Sequence, residues 1–182
     1  MISLEPLAVR LSQRATRPVT LVMDRDEVFR ATGPTSGTRI KVKMGISNGG
    51  ELTAAEVWMA FEAGAYAGSP VGAAGMTVIA AYDMPHFLVE GYDVVCNKPR
   101  VAAYRAPGAP MAAFAVESVL DELARSIDMD PIEVRLANAV VEGTQASYGP
   151  KFPRIGFVET LEAIKEHPNY TAELGPNQGR GV

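Results

Sequence analysis

The sequence is organised around residues 97–111, which read Asn97-Lys98-Pro99-Arg100-Val101-Ala102-Ala103-Tyr104-Arg105-Ala106-Pro107-Gly108-Ala109-Pro110-Met111. Pro107 and Gly108 interrupt regular structure, and Pro110 suits the first turn of a helix because proline lacks the N–H that would be unpaired there. Beyond this loop, apolar residues recur at helical spacing: Val116, Val119, Leu120 and Leu123. The pattern predicts extended chain, a tight loop and then a helix, in which Asp121 is placed to pair with Arg125.

Arg105 lies in this loop, just ahead of the predicted helix N-terminus. Free N–H groups and the helix dipole at such a terminus favour an anionic ligand. The planar guanidinium of arginine also suits a phosphate or an oxyanion. From this chemistry alone, a solvated arginine beside an ordinary helix start is the more common interpretation. The residues by themselves therefore leave both interpretations open.

Composition limits the class of protein. The chain has 182 residues, 47% of them hydrophobic, and a net charge of −4, which is enough for one domain with a core and shows no basic stripe for nucleic acid. A single cysteine, Cys96, excludes a disulfide framework. His86 and His167 lie far apart, so no zinc or iron–sulfur spacing exists and any metal would have to arrive in an organic cofactor or on another chain. No apolar run reaches the roughly 18 residues of a membrane span, and no signal-peptide layout is present, which predicts a cytoplasmic protein.

Periodicity, caps and turns predict an α+β fold with mixed sheet hairpins and packed helices. Besides the helix after Pro110, the predicted helices are 1–14, a short one from the Asp24–Glu27 capping box to about 30, 70–81 with Ser69 as its cap, 131–136 capped by Asp130, and 157–166. The predicted strands are 19–23, 39–46, 52–63 and 87–96, with a hairpin turn at Asn48-Gly49-Gly50. Residues 141–155 are predicted to be loop, and the polar tail from Asn169 is predicted to be mobile.

Two surface features are also predicted from these elements. Trp58 lies among charged neighbours on the strand 52–63, where a half-buried sheet surface is more usual than a stacking site. Two apolar faces are expected to be uncovered and to cause self-association: Leu4, Leu7 and Leu11 on the first helix, and Val57, Met59 and Phe61 on the strand.

The segment Tyr104-Arg105-Ala106-Pro107-Gly108-Ala109-Pro110 resembles the central motif of the xanthine dehydrogenase and aldehyde oxidase family, in its large molybdopterin-binding subunit. There the motif reads aromatic-Arg-Gly-x-Gly-x-Pro-Gln. Further similar segments follow in family order: Arg17-Pro18-Val19, Asp24-Arg25-Asp26-Glu27, Asn48-Gly49-Gly50, Gly64-Ala65-Tyr66, Tyr82-Asp83-Met84-Pro85 and residues 130–138. The resemblance implies a partial molybdopterin-binding domain over residues 1–168, with 169–182 as a polar tail or a truncated continuation.

The resemblance also implies an activity. The family binds molybdenum through a molybdopterin cofactor, in bacteria often as the cytosine dinucleotide, and hydroxylates an aldehyde or an N-heterocycle with oxygen from water. Electrons leave through iron–sulfur centres to FAD, so the implied partners are the remainder of the large subunit, an iron–sulfur subunit, an FAD subunit and a small-molecule substrate. Arg105 and Ala106 match positions of the cofactor-contacting segment. Pro107 matches a position that is a substrate-stacking Phe in xanthine-oxidising members.

Several positions depart from the family pattern. Ala106 replaces the Cys of carbon monoxide dehydrogenases, which argues against CO oxidation. Pro107, together with Gly72-Ala73-Ala74 where purine-oxidising members carry an Arg, argues against xanthine as substrate. Met111 replaces the usual Gln, which removes one polar contact.

The resemblance places no catalytic residue in this chain. The family's general-base Glu belongs to a Gly-x-Gly-Glu segment expected outside it, as does the Gly-Gly-x-Phe-Gly loop. Glu117 and Glu122 are predicted helix residues that nothing brings within reach of a reacting proton. The isolated chain is therefore expected to be inactive and to hold no stoichiometric molybdenum. The alternatives are a truncated or split gene product with only a structural role, and an unrelated small binding module.

Overall fold

The computed structural model describes residues 4–181 as a mixed α+β fold, which confirms the predicted fold class. In chain order the elements are α1 (Glu5–Ala15), α2 (Arg25–Ala31), β1 (Thr38–Ile46), β2 (Leu52–Gly64), α3 (Val71–Thr77), β3 (Phe87–Val95), α4 (Ala109–Ser126), α5 (Pro131–Ala137), α6 (Phe157–Glu166) and α7 (Pro168–Thr171). Residues 1–3 of the predicted first helix lie outside the described residues. No helix among residues 4–181 has the length and hydropathy needed to cross a bilayer.

The sheet has the order β1-β2-β3. β1 and β2 form the predicted antiparallel hairpin, and β3 pairs with β2 in parallel after a crossover through α3, so that Val57 lies between Val42 and Val89. Trp58 is half-buried on the outer face, with its ring centroid 5.6 Å from that of Tyr92. This confirms its interpretation as sheet surface.

The core lies on the inner face of the sheet, where α3 and α4 cover it. Four residues at helical spacing on α4 are buried: Ala112, Val116, Leu120 and Ala124. They belong to one cluster with Val57, Met59 and Phe61 of β2, which are 1%, 0% and 0% exposed. The prediction that this β2 face is uncovered is therefore wrong. Periodicity identified the face as apolar, but only the packing of the helices shows that it is already buried.

A buried ion pair joins α5 to α4. Arg135 is 2% exposed, and its Nη2 lies 2.8 Å from Glu117 Oε2 and 2.9 Å from Asp121 Oδ1. The Tyr82 hydroxyl donates to the same Glu117 carboxylate at 2.8 Å. Burial and the Glu117 charge raise the pKa of Tyr82. The predicted Asp121–Arg125 pair is wrong, because the Asp121 carboxylate turns towards α5 instead of along its own helix.

Asn138 fixes the hairpin to the end of α5. Its Nδ2 donates to the carbonyl oxygens of Gly50 and Val134, and its Oδ1 accepts from Leu52 N, all at 2.8 Å. The side chain is 7% exposed. Since an unpaired buried amide is costly, these three bonds hold the β1–β2 turn in one place relative to the helices.

Two of the three predicted helix caps are present. The Asp24 carboxylate accepts from Glu27 N and the Glu27 carboxylate accepts from Asp24 N, which confirms the capping box at the start of α2. Asp130 accepts from Ile132 N and Glu133 N at the start of α5. Both signals lie within one turn of chain, so they could be found from spacing alone.

Three predictions about local structure are corrected. Residues 19–23 form no strand, because no described segment pairs with them. α3 ends at Thr77, and its N-cap is Pro70 with no side-chain bond; Asp93 of β3 instead accepts from Gly68 N and Ser69 N just ahead of the helix. The tail predicted to be mobile begins with α7, where the Tyr170 hydroxyl donates to Asp130.

Candidate functional site

Residues 97–104 connect β3 to the candidate site, and their backbone packs closely against other segments of the chain. Val101 N donates to the Ala63 carbonyl at 3.1 Å, and Ala102 N donates to the Pro34 carbonyl at 3.0 Å. Gly64 lies directly against the backbone of Pro99, has φ +79°, and has no room for a β-carbon. Hydrogen bonds and close packing with neighbouring segments therefore fix the position of residues 97–104. The residues that follow, 105–108, are named the 105–108 loop here, and their position depends on this fixed segment.

Gly108 packs the loop onto the first turn of α3. A β-carbon on Gly108 would lie 2.5 Å from the Pro70 carbonyl oxygen and 2.9 Å from the Ala74 amide nitrogen, and its φ is +93°. Only glycine allows both this conformation and this approach. The contact brings the loop against the helix that carries Gly72-Ala73-Ala74, so the two departures from the purine-oxidising pattern lie in adjoining segments.

Ala106 takes a left-handed conformation, with φ +54°, and is exposed. For a residue with a β-carbon this conformation costs about 1–2 kcal/mol. Because the motif of the resembled family has glycine here, the alanine places local strain in the centre of the loop.

Ala106→Gly is expected to leave stability unchanged or to raise it by up to about 1 kcal/mol, because glycine relieves the left-handed strain while adding freedom to the unfolded chain. The matched control is Ala113→Gly, at an exposed position inside α4, which should cost about 1 kcal/mol. Urea unfolding of both variants measures the difference. Equal losses in the two variants would contradict the strain assigned to Ala106.

Arg105 is exposed, and within residues 4–181 its guanidinium has no hydrogen-bond, ion-pair or ring partner. The structure thus shows no carboxylate that would make Arg105 a purely structural residue. Beside it, α4 begins without a side-chain cap, and its first internal bond runs from Ala112 N to the Gly108 carbonyl. Free amides and a free guanidinium therefore lie within a few residues of each other, an arrangement suited to an anionic group.

An apolar groove of about 910 Å³ adjoins the loop on its α4 side. Tyr104 and Met111 line it at the loop end, and Phe114 and Val119 of α4 line it further along, opposite Ile40 of β1. The Tyr104 hydroxyl donates to Met111 Sδ at 2.9 Å. Met111 therefore acts as the acceptor for a neighbouring side chain, where the resembled family has an amide.

The structure separates the two candidate carboxylates, Glu117 and Glu122, from the 105–108 loop. Glu117 is engaged with Arg135 and Tyr82, and Glu122 lies exposed further along α4. Pro107 is half-buried next to Gly108. In the part of the chain that the structure describes, no group of three or more His, Cys, Asp or Glu side chains could hold a metal ion. The groups that the loop does offer, a guanidinium and backbone amides, are of the kind that suits an anionic ligand.

Sequence reasoning located the loop but missed two of its supports. The Gly108 contact with Pro70 and Ala74, and the passage of residues 97–104 past Gly64, involve partners distant in the chain. Both glycines are visible in the sequence, and Gly64, at the end of a predicted strand, could have suggested close backbone approach. No sequence pattern identified the residues that these two glycines contact.

Comparison with known proteins agrees with the resemblance. A family model described as the molybdopterin cofactor-binding domain matches residues 1–139. The xanthine dehydrogenase molybdenum-binding subunit of Escherichia coli O157:H7 is 34% identical over 190 residues, covering 98% of this chain and 25% of the relative. The nicotinate dehydrogenase large molybdopterin subunit of Eubacterium barkeri is 29% identical over 160 residues, covering 86% of this chain and 38% of the relative.

The fold is also similar to that of a solved relative. The aldehyde oxidoreductase from Desulfovibrio gigas aligns with a TM-score of 0.80 at 25% identity, covering 91% of this chain and 18% of that protein. The chain thus spans between about a fifth and two fifths of the length of these relatives.

Proposed function

Because this chain belongs to the molybdopterin cofactor-binding domain family, we propose that it helps to hold a molybdopterin cofactor against the 105–108 loop. The observation that carries the proposal is the exposed, unpartnered guanidinium of Arg105 beside the uncapped N-terminus of α4. Arg105 and Ala106 would be the cofactor-side residues, and Pro107 would face the substrate. The loop is held by Gly108 and α3, so it can position a bound group without rearranging.

The reaction proposed is that of a molybdenum hydroxylase. When bound, the cofactor would supply the oxidation of a substrate carbon with oxygen from water. The share of this chain is to bind and orient the cofactor through the Arg105 charge and the backbone of the loop. Residues 1–168 would form part of the cofactor-binding domain, and the general-base Glu would come from outside this chain.

The substrate proposed is an aldehyde or an N-heterocycle other than a purine. Pro107 offers no aromatic ring for stacking, and the adjoining α3 segment carries Gly72 and Ala73 without a charged side chain. A site that lacks polar groups discriminates poorly between polar ring substituents, so purine recognition is disfavoured. The relatives named for nicotinate and aldehyde substrates are compatible with this choice, whereas the relative that is 34% identical is named for xanthine.

The partners proposed are the remainder of a large subunit, an iron–sulfur subunit and an FAD subunit, with the cofactor in its cytosine dinucleotide form and the protein in the cytoplasm. The support for the first of these partners is that this chain spans only 25% and 18% of the length of two relatives. The other partners, the cofactor form and the location are those that the family resemblance implies. The alternative is a truncated piece with only a structural role.

Arg105→Lys and Arg105→Ala are both expected to lower kcat by about 10²–10³ in the molybdenum-loaded enzyme that contains this chain. Lysine keeps the charge but loses the planar fork, so a cofactor-side role predicts a large loss even for the conservative change. The measurements are molybdenum content, kcat and thermal stability.

The control is Arg125→Lys, an exposed arginine in the last turn of the same helix, which should change none of these quantities. Unchanged turnover with full molybdenum in the Arg105 variants would refute the assignment. A lower melting temperature with normal turnover per molybdenum would show that Arg105 is structural.

A further inference from the structure

The 33–37 segment connects α2 to β1 and lies against the chain just ahead of the candidate site. A β-carbon on Gly33 would lie 2.6 Å from the Arg100 carbonyl oxygen and 2.7 Å from the Ala102 β-carbon. Ala102 N also donates to the carbonyl of the next residue, Pro34, at 3.0 Å. The two backbones can approach this closely because Gly33 has no side chain.

The far end of the 33–37 segment is bonded to the strand β2. Ser36 is 5% exposed, and its hydroxyl donates to the Glu62 carbonyl at 2.6 Å. Glu62 N donates to the Gly37 carbonyl at 2.9 Å. Both neighbours of Glu62 in β2 are fully buried, so these bonds give the 33–37 segment a defined position relative to the core.

Two supports hold the ends of an exposed stretch of chain. On one side, Ala102 contacts the 33–37 segment, and on the other, Gly108 packs against α3 with no room for a β-carbon. Residues 103–106, between these supports, are all exposed. The position of Arg105 therefore depends on the contact at each end.

The contact made by Gly33 lies outside the hydrophobic core. None of residues 33–37 or 100–106 belongs to the core cluster that the structure describes. Lys98 Nζ pairs nearby with the Glu62 carboxylate at 2.7 Å, but both side chains are partly exposed, and such pairs contribute little. Loss of the Gly33 contact would therefore release the chain ahead of Arg105 without opening the core.

We propose that Gly33 is a positioning residue for the 105–108 loop, and that its contact with residues 100–102 determines where the Arg105 guanidinium lies. Groups that bind a ligand must be held within about 0.5 Å of their place, so a displaced loop binds an anion more weakly. The consequence for a molybdopterin cofactor rests on the proposed function, whereas the position of the loop does not.

The test is Gly33→Ala in the full chain, followed by limited trypsin digestion and mass spectrometry. Cleavage after Arg105 requires local movement of the loop, whereas cleavage after the buried Arg135 requires the core to unfold. The ratio of the first cleavage rate to the second should rise roughly fivefold or more, because the added β-carbon forces the two segments apart. A variant that only loses global stability would not raise this ratio.

Two more variants check the contact itself. Ala102→Leu enlarges the same contact from the other side and should raise the ratio as well. Gly37→Ala is the matched control in the same segment, because its β-carbon would meet only the Glu62 side chain, whose end can move. It should leave the ratio unchanged. The proposal is overturned by an unchanged ratio in Gly33→Ala, or by an equal rise in Gly37→Ala.

Molybdenum analysis separates this proposal from the proposed function. In the loaded enzyme that contains this chain, Gly33→Ala should lower the molybdenum content and Gly37→Ala should not. A raised cleavage ratio with full molybdenum would support Gly33 as the residue that positions the loop and would refute the cofactor role of the loop. A lower molybdenum content with an unchanged cleavage ratio would overturn the positioning role of Gly33.

Discussion

Gly108→Ala should destabilise the protein by about 3 kcal/mol. The added β-carbon would lie 2.5 Å from the Pro70 carbonyl oxygen and 2.9 Å from the Ala74 amide nitrogen, so the loop or α3 must move. Overpacking of this kind costs about 1–3 kcal/mol, and the positive φ adds a strain of similar size. Chemical denaturation of the full chain measures the loss.

Gly72→Ala is the matched control for Gly108→Ala. Gly72 lies in α3 between Pro70 and Ala74, but a β-carbon there meets nothing within 4 Å. Since alanine is the better helix former, this variant should gain about 0.5–1 kcal/mol. A Gly108→Ala variant as stable as wild type would show that the loop does not pack on α3 as described. If the proposed function is correct, the displaced loop should also lower the molybdenum content of the loaded enzyme.

Arg135→Met should lower the free energy of unfolding by about 3 kcal/mol or more. The side chain is 2% exposed and neutralises Glu117 and Asp121, each about a third exposed. Removing one partner of a buried pair costs about 3–5 kcal/mol, because the remaining charge is left uncompensated. The lower end of this range applies to Arg135, since water still reaches the carboxylates of Glu117 and Asp121. Thermal and chemical unfolding measure the loss.

Two further variants separate loss of charge from loss of packing. Arg135→Met combined with Glu117→Gln and Asp121→Asn should be less destabilised than Arg135→Met alone, because it leaves no uncompensated charge at this site. Arg125→Met, at an exposed position on the same helix as the carboxylates, should change stability by no more than about 0.5 kcal/mol. If the Arg135 and Arg125 variants lose the same stability, the ion pair contributes nothing to the fold.

Features decided within a few residues of chain could be found from the sequence. The capping box at Asp24 and Glu27, the Asp130 cap, and the hairpin at Asn48-Gly49-Gly50 all depend on groups within one turn of each other. The ordered motifs around Arg105 likewise identified the family, which the match over residues 1–139 confirms. Such signals survive in the sequence because spacing alone determines whether the groups can meet.

The partners of long-range contacts could not be found in this way. Asp121 had a plausible partner one turn away in Arg125, yet it faces Arg135 on another helix. Residues 19–23 have the composition of a strand, but a strand forms only where another strand is available to pair. Composition indicates which contacts a segment is able to form, and tertiary packing determines which of the possible partners it contacts.

The features of the candidate site also fall into those determined by local sequence and those determined by tertiary packing. The sequence determined that Arg105 and Ala106 lie in a glycine- and proline-rich loop ahead of a helix, and which family that loop resembles. Only the tertiary structure decided that Arg105 has no partner among residues 4–181, that Ala106 is left-handed, and that Gly108 rests on Pro70 and Ala74. The physical reason is that the local bonds of a loop follow from its own residues, whereas its strain, exposure and support depend on the surfaces that surround it.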